Sequence, residues 1–153
     1  MNKDIKVGII VIFNSSKQIV SEKAFVSIFN QTKKIGFCLV NNNSTEGFSE
    51  KLRNIVDRCE NVSVINVKKN KSNSLAIRAG ARYMSNLHSL KFLGYVMDLN
   101  QDAMIEAIKL FSMHSENIQK EQKAKLNHNV IRRSFFYHMF SISDYFLQFE
   151  ADR

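Results

Sequence analysis

An α/β fold, a mostly parallel sheet flanked by helices, is what this sequence predicts, and three observations carry the prediction. Short apolar runs recur along the chain, too short for helices and apolar at nearly every position, as in strands covered on both faces. Between successive runs, apolar residues recur at helical spacing. Each run also ends in amide, hydroxyl or charged side chains of the kind that begin turns and helices. Strands that alternate with helices in this way require a parallel sheet with right-handed crossovers.

The elements follow in order. Val7 to Phe13, VGIIVIF, is the first strand and ends in Asn14, Ser15 and Ser16. Between Val20 and Gln31 the positions Ala24, Phe25, Ile28 and Phe29 form one helical stripe. Ile35 to Val40, IGFCLV, is the second strand, followed at once by Asn41-Asn42-Asn43-Ser44-Thr45. Phe48, Leu52, Ile55 and Val56 mark a second helix. Val62 to Val67 is the third strand and runs into the basic turn Lys68-Lys69-Asn70-Lys71. From Ser74 to Leu87 a third helix places Leu75, Ala79, Tyr83 and Leu87 on one stripe, with Ala76, Gly80 and Met84 beside it. The most informative stretch is Phe92 to Asp102, FLGYVMDLNQD, a fourth strand that passes directly into carboxylates and amides. Asp102 suits a helix N-terminus, and Met104, Ile105, Ile108 and Phe111 form the inner face of the fourth helix. Glu116 to Asn129 is charged and amide-rich, a polar loop or a solvated helical segment. Residues 130–153 regain aromatic density and are expected to pack on the sheet.

With 153 residues, 44% of them hydrophobic, the chain suits one domain over residues 1–153 with one core. No apolar run reaches the length of about eighteen residues that a membrane-spanning helix needs, and the apolar N-terminal segment has no small-residue cleavage site after it, so a cytoplasmic protein is expected. Cys38 and Cys59 have neither the spacing nor the histidine neighbours of a metal site, and they read as ordinary thiols. Lysine and arginine outnumber acids 22 to 14, a net charge of +8, which favours anionic partners.

In open α/β sheets ligands gather beyond the carboxyl ends of the strands. The residues at those ends are Asn14, Asn41 to Thr45, Asn70, and then Asp98, Asn100 and Asp102. Neither GxGxxG nor GxxxxGK[ST] occurs, which argues against a dinucleotide-dependent dehydrogenase and a P-loop enzyme.

The order VIFN, SIFNQT, LVNNNST, then Asn70-x-Ser72 with Ala76 and Gly80, then VMDLN, resembles glycosyltransferase family 2, nucleotide-sugar transferases of the GT-A fold. IRRSFF followed by YFLQFEAD is similar to the family's later segment, which carries the catalytic base. The resemblance spans nearly the whole chain and implies a GT-A-like nucleotide-sugar-binding domain in bacterial surface-polysaccharide synthesis, working by inverting displacement. It implies Asp98 and Asn100 as ligands of Mg²⁺ or Mn²⁺, Asn14, Asn41 and Asn70 along the nucleotide with Asn41 at the base, and Arg78 near the phosphates. Asp152 or Glu150 would be the base that deprotonates the acceptor hydroxyl, Asp152 first. The implied partners are a nucleotide-sugar donor and a saccharide or lipid-linked acceptor, with self-association and contact with the inner membrane face both compatible.

Some positions depart from the family pattern. Asn41 and Asn100 stand where acids are usual, and an amide oxygen ligates a hard cation without bringing charge. Ser72 replaces a glycine, and Arg78 an asparagine. These departures support an alternative, a degenerate, non-catalytic protein of the same fold that binds a partner. A nucleic-acid-binding domain would rest on net charge alone, and the tail aromatics read as core rather than as a stacking platform.

Overall fold

The computed structural model describes residues 5–14, 20–42, 46–67, 72–97, 100–128 and 139–142. The elements in chain order are β1 (Val7–Phe13), α1 (Glu22–Gln31), β2 (Ile35–Asn41), α2 (Glu46–Asp57), β3 (Val62–Asn66), α3 (Asn73–Leu87), β4 (Phe92–Val96), α4 (Gln101–His128) and β5 (Met139–Ser141). They form an α/β fold around a five-stranded sheet in the order β3-β2-β1-β4-β5. Every strand pair is parallel, with Val7 opposite both Ile35 and Phe92. The sequence predicts four strands. The fifth, Met139–Ser141, is three residues long, too short to leave a periodic signal, and it adds an edge beside β4 from within the aromatic tail.

Alternation along the strands divides the core in two. On one face Ile9, Val11 and Phe13 of β1 with Phe37 and Leu39 of β2 meet Phe25 and Phe29 of α1, Phe48, Leu52 and Ile55 of α2, and Met104, Ile108 and Phe111 of α4. Aromatic rings fasten α1 there: Phe29 lies 4.4 Å from Phe37 and Phe25 lies 6.0 Å from Phe13, centroid to centroid. Truncating any one of these buried rings to alanine costs about 3–5 kcal/mol. On the other face Ile10, Ile12, Cys38, Val40 and Leu93 meet α3 through Ala76, Ile77, Ala81 and Met84.

The α3 contact selects which side of the helix faces the sheet. Leu75, Tyr83 and Leu87 are exposed, while Ala76, Ile77, Gly80, Ala81 and Met84 face the sheet. The helix is apolar on more than one side, so spacing alone does not choose between stripes. Side-chain size does: a Cβ on Gly80 would lie 2.8 Å from Cγ2 of Ile10 and 3.0 Å from Cγ2 of Val40, so the helix approaches closely through its small residues. Met84 reaches over Gly8 and Gly36, which sit opposite each other in β1 and β2 and leave room for its methyl.

The polar segment from Glu116 is helical through His128, so a loop reading fails there and the helical alternative holds. Its Lys, Gln, Glu and Ala residues are good helix formers. In the tail, Ile142 is fully buried in the core face that holds α4. The rest of residues 130–153 lies outside the described residues.

Candidate functional site

The chain runs outward from β1 to β2 and β3, then returns to β4 on the other side of β1. That reversal places a switch point between β1 and β4, the position beyond the carboxyl ends where open α/β sheets bind their ligands. Asn14 follows β1 at this point, and Asn100 begins α4 after β4.

Amide side chains dominate the described part of the rim. Asn41 and Asn42 are consecutive, so they point to opposite faces of the sheet. Asn41 faces α2: its Nδ2 donates to Ser49 Oγ at 2.8 Å and to Asn66 Oδ1 at 3.0 Å, and the Ser49 hydroxyl donates onward to Asn66 Oδ1 at 3.4 Å. Asn42 faces α3: its Nδ2 donates to Asn14 Oδ1 at 2.9 Å, and Asn14 Nδ2 donates to Asn73 Oδ1 at 2.8 Å. The strand ladder holds both in place, because Asn42 N–H donates to Phe13 O and Val67 N–H to Asn41 O. Asn41 and Asn42 are only 1% and 0% exposed, whereas Asn14 is half-buried and Asn66 exposed.

Among the sequence-predicted residues, Asn14 and Asn41 therefore sit on one rim, each in a different amide chain. Arg78 lies on the exposed side of α3 and makes no ion pair among the described residues. Asn100 caps α4: its Oδ1 accepts from Ala103 N–H at 2.8 Å, and its carbonyl from Met104 N–H at 3.0 Å. Gln101 beside it accepts from the backbone N–H of Ser21 and so ties the starts of α4 and α1 together. Asn70, Asp98, Glu150 and Asp152 lie outside the described residues.

Three members of the network escaped the sequence reading, Ser49, Asn66 and Asn73, whereas Asn42 falls within the strand-end run Asn41 to Thr45. A signal for Asn66 was present. Three consecutive strands end in asparagine, at Asn14, Asn41-Asn42 and Asn66, and parallel pairing brings such ends together. Ser49 and Asn73 reach the rim only through helix placement, which spacing does not reveal.

The described oxygens at the rim are neutral, and among the described residues no group of three His, Cys, Asp or Glu side chains lies together as a metal site would need. A hard cation would therefore depend on Asp98 for its charge, with Asn100 oxygen already engaged as a helix cap. The cysteines stand away from this chemistry. Burial pushes the Cys38 thiol up to about 12, and burial raises Cys59 against an opposing pull from Arg58. Among the described residues no helix is long and apolar enough to cross a membrane.

No family model matches the chain, and no curated protein or solved structure is significantly similar to it.

Proposed function

We propose that the carboxyl rim binds a nucleotide sugar and that the chain is a small glycosyltransferase of GT-A type. The observation that carries this reading is an amide-lined carboxyl rim: Asn14 stands beside the β1/β4 switch point joined to Asn42 and Asn73, and on the opposite face of the sheet Asn41 joins Asn66. Amides offer both donors and acceptors, the complement of a nucleobase edge and ribose hydroxyls. In the proposed reaction an acceptor hydroxyl attacks the anomeric carbon, the bond to the nucleoside diphosphate breaks, and Asp152 or Glu150 takes the hydroxyl proton. Mg²⁺ or Mn²⁺ held through Asp98 would supply charge neutralisation for the departing diphosphate.

A second reading, a non-catalytic binding protein of the same architecture, draws on two observations. Asn41 is enclosed and its amide hydrogens are engaged internally, and the Asn100 oxygen serves α4. Thermal unfolding with UDP, GDP and dTDP, each with and without Mn²⁺, separates the two. A ligand at a hundredfold excess over its dissociation constant adds about 2.7 kcal/mol, a rise of roughly 5 to 10 °C for a chain of this size. A metal-dependent rise with one nucleotide supports the transferase; no rise with any of them favours the binding protein. Asp152→Asn should abolish transfer and spare nucleotide binding, and unchanged turnover would remove Asp152 from the role of base.

A further inference from the structure

Two helices that start at the carboxyl rim are joined by a bond that completes the cap of one of them. Ser21 caps α1, its Oγ accepting from Ala24 N–H at 3.3 Å and its carbonyl from Phe25 N–H at 3.2 Å. In a capping box the third helical residue returns a bond to the N–H of the cap, but that place is held by Ala24, which has no side-chain acceptor. The Ser21 N–H donates instead to Oε1 of Gln101, 80 residues further on and the first residue of α4. α4 thus supplies the missing half of the α1 cap.

The position of this bond matters more than its strength. Ser21 ends the connection that leaves β1, and Asn100, beside Gln101, ends the one that leaves β4; β1 and β4 are neighbours in the sheet. The β1 connection is fastened at both ends, at Asn14 by Asn42 and Asn73 and at Ser21 by Gln101. Cohesion of the two helices does not depend on Gln101, because Phe25 and Phe29 of α1 are buried in one core with Met104, Ile108 and Phe111 of α4. A second tie at the same end of α1 leads elsewhere: Asn54 Nδ2 of α2 donates to Glu22 Oε1 at 3.1 Å and joins α1 to α2.

We propose that Gln101 is a positioning residue for the nucleotide, holding the end of the β1 connection against the end of the β4 connection while the ligand meets groups from both. The inference rests on the reading of the rim as a nucleotide site. Without the bond the helices stay packed, but the two ends part for a fraction of the time. A ligand that needs them together then binds in proportion to the fraction still joined. One neutral hydrogen bond corresponds to about a fivefold change in such an equilibrium, which sets the upper end of the effect on the apparent dissociation constant.

Titration calorimetry of the full chain with UDP, GDP and dTDP, each with Mn²⁺, tests the proposal. Gln101→Met keeps the length of the side chain and removes the acceptor, so it should weaken binding of the nucleotide that the parent takes by about two- to fivefold. Asn54→Ala removes the tie of α1 to α2 and should leave that affinity unchanged. Asn54 is exposed and Gln101 half-buried, so unfolding midpoints near that of the parent verify the fold. Hydrogen exchange adds a readout that needs no substitution: the nucleotide should slow exchange at the Ser21 amide of the parent. Equal affinity in Gln101→Met and the parent overturns the proposal and leaves the nucleotide site standing, as does Ser21 exchange that ignores a bound nucleotide. Equal weakening by Gln101→Met and Asn54→Ala overturns it too, since general cohesion of α1 then accounts for both. A parent that binds none of the three nucleotides overturns the reading of the rim, and this inference with it.

Discussion

Asn61 offers the sharpest test of how the sheet is held at its amino end. The residue is buried just before β3, and its Nδ2 donates to three carbonyls: Phe29 at 3.1 Å, Thr32 at 3.1 Å and Ile35 at 2.9 Å. One side chain thereby joins the end of α1 to the start of β2, while its own carbonyl accepts from Phe37 N–H at 2.8 Å. Its Oδ1 is buried without a partner, so the amide acts here purely as a donor. Asn61→Asp keeps the shape and replaces that donor with a carboxylate facing three acceptors. A buried charge without a partner costs about 3–5 kcal/mol, which lowers the melting temperature by roughly 12 °C. The sign with pH follows from the same contacts. The folded carboxyl would titrate above the unfolded value of about 4, because its protonated form at least returns one donor. The folded state then binds more protons than the unfolded one, so the variant loses stability as pH rises from about 4 toward neutrality. Urea unfolding across that range measures the slope. Asn61→Leu is the control: it removes the orphaned oxygen along with the donor and should cost about 2 kcal/mol at every pH. If Asn61→Asp matched the parent at neutral pH, or lost stability equally at all pH values, the account of Asn61 as a donor hub would be wrong.

The same change at the rim should be far milder. In Asn41→Asp the Ser49 hydroxyl can turn to donate and the Asn66 amide can reverse, so about 1 kcal/mol is expected by urea unfolding. At the start of α4, Asn100→Ala should cost about 1 kcal/mol for the lost cap, whereas Asn100→Asp keeps the cap and adds charge. A larger Mn²⁺-dependent thermal shift in Asn100→Asp would mark a ligand, and an unchanged shift would leave this residue a cap. Gly80→Ala gains about 1 kcal/mol in helix propensity but meets the branched Cγ2 atoms of Ile10 and Val40, an overpacking cost of about 1–3 kcal/mol, so a net loss in melting temperature is expected. With its thiol pushed up to about 12, Cys38 should react with a disulfide reagent only as fast as the chain unfolds, which timed labelling followed by peptide mapping would reveal.

How far the sequence could be read depended on whether a feature was local. Val7–Phe13 is apolar at each position because both its faces are covered, and the strand appears with the predicted bounds. Phe92–Val96 is legible for the same reason. The face of α3 was not, because its choice between stripes depends on Gly80 meeting Ile10 and Val40, residues from two other strands. β5 was invisible since its three residues are strand only by pairing with β4. At the rim, asparagine at strand ends marked the place but not the partners. Asn42 meets Asn14, and Asn41 meets Asn66, only once parallel register has set those ends side by side.

The rim and the amino end of the sheet use the same residue type for different physical purposes. At Asn61 the partners are backbone carbonyls, which only accept, so the arrangement has a single polarity and tolerates no exchange. At the rim, Asn14, Asn41, Asn42, Asn66, Asn73 and Ser49 are each able to donate and accept, and a ligand that takes one hydrogen bond can be answered by rotation of a neighbour. Exchanging one neutral hydrogen bond for another leaves the balance near zero, so access rather than bond strength decides which amides a ligand uses. Asn14 and Asn66 are the members that solvent reaches, while Asn42 and Asn41, sealed beneath them, hold each in position.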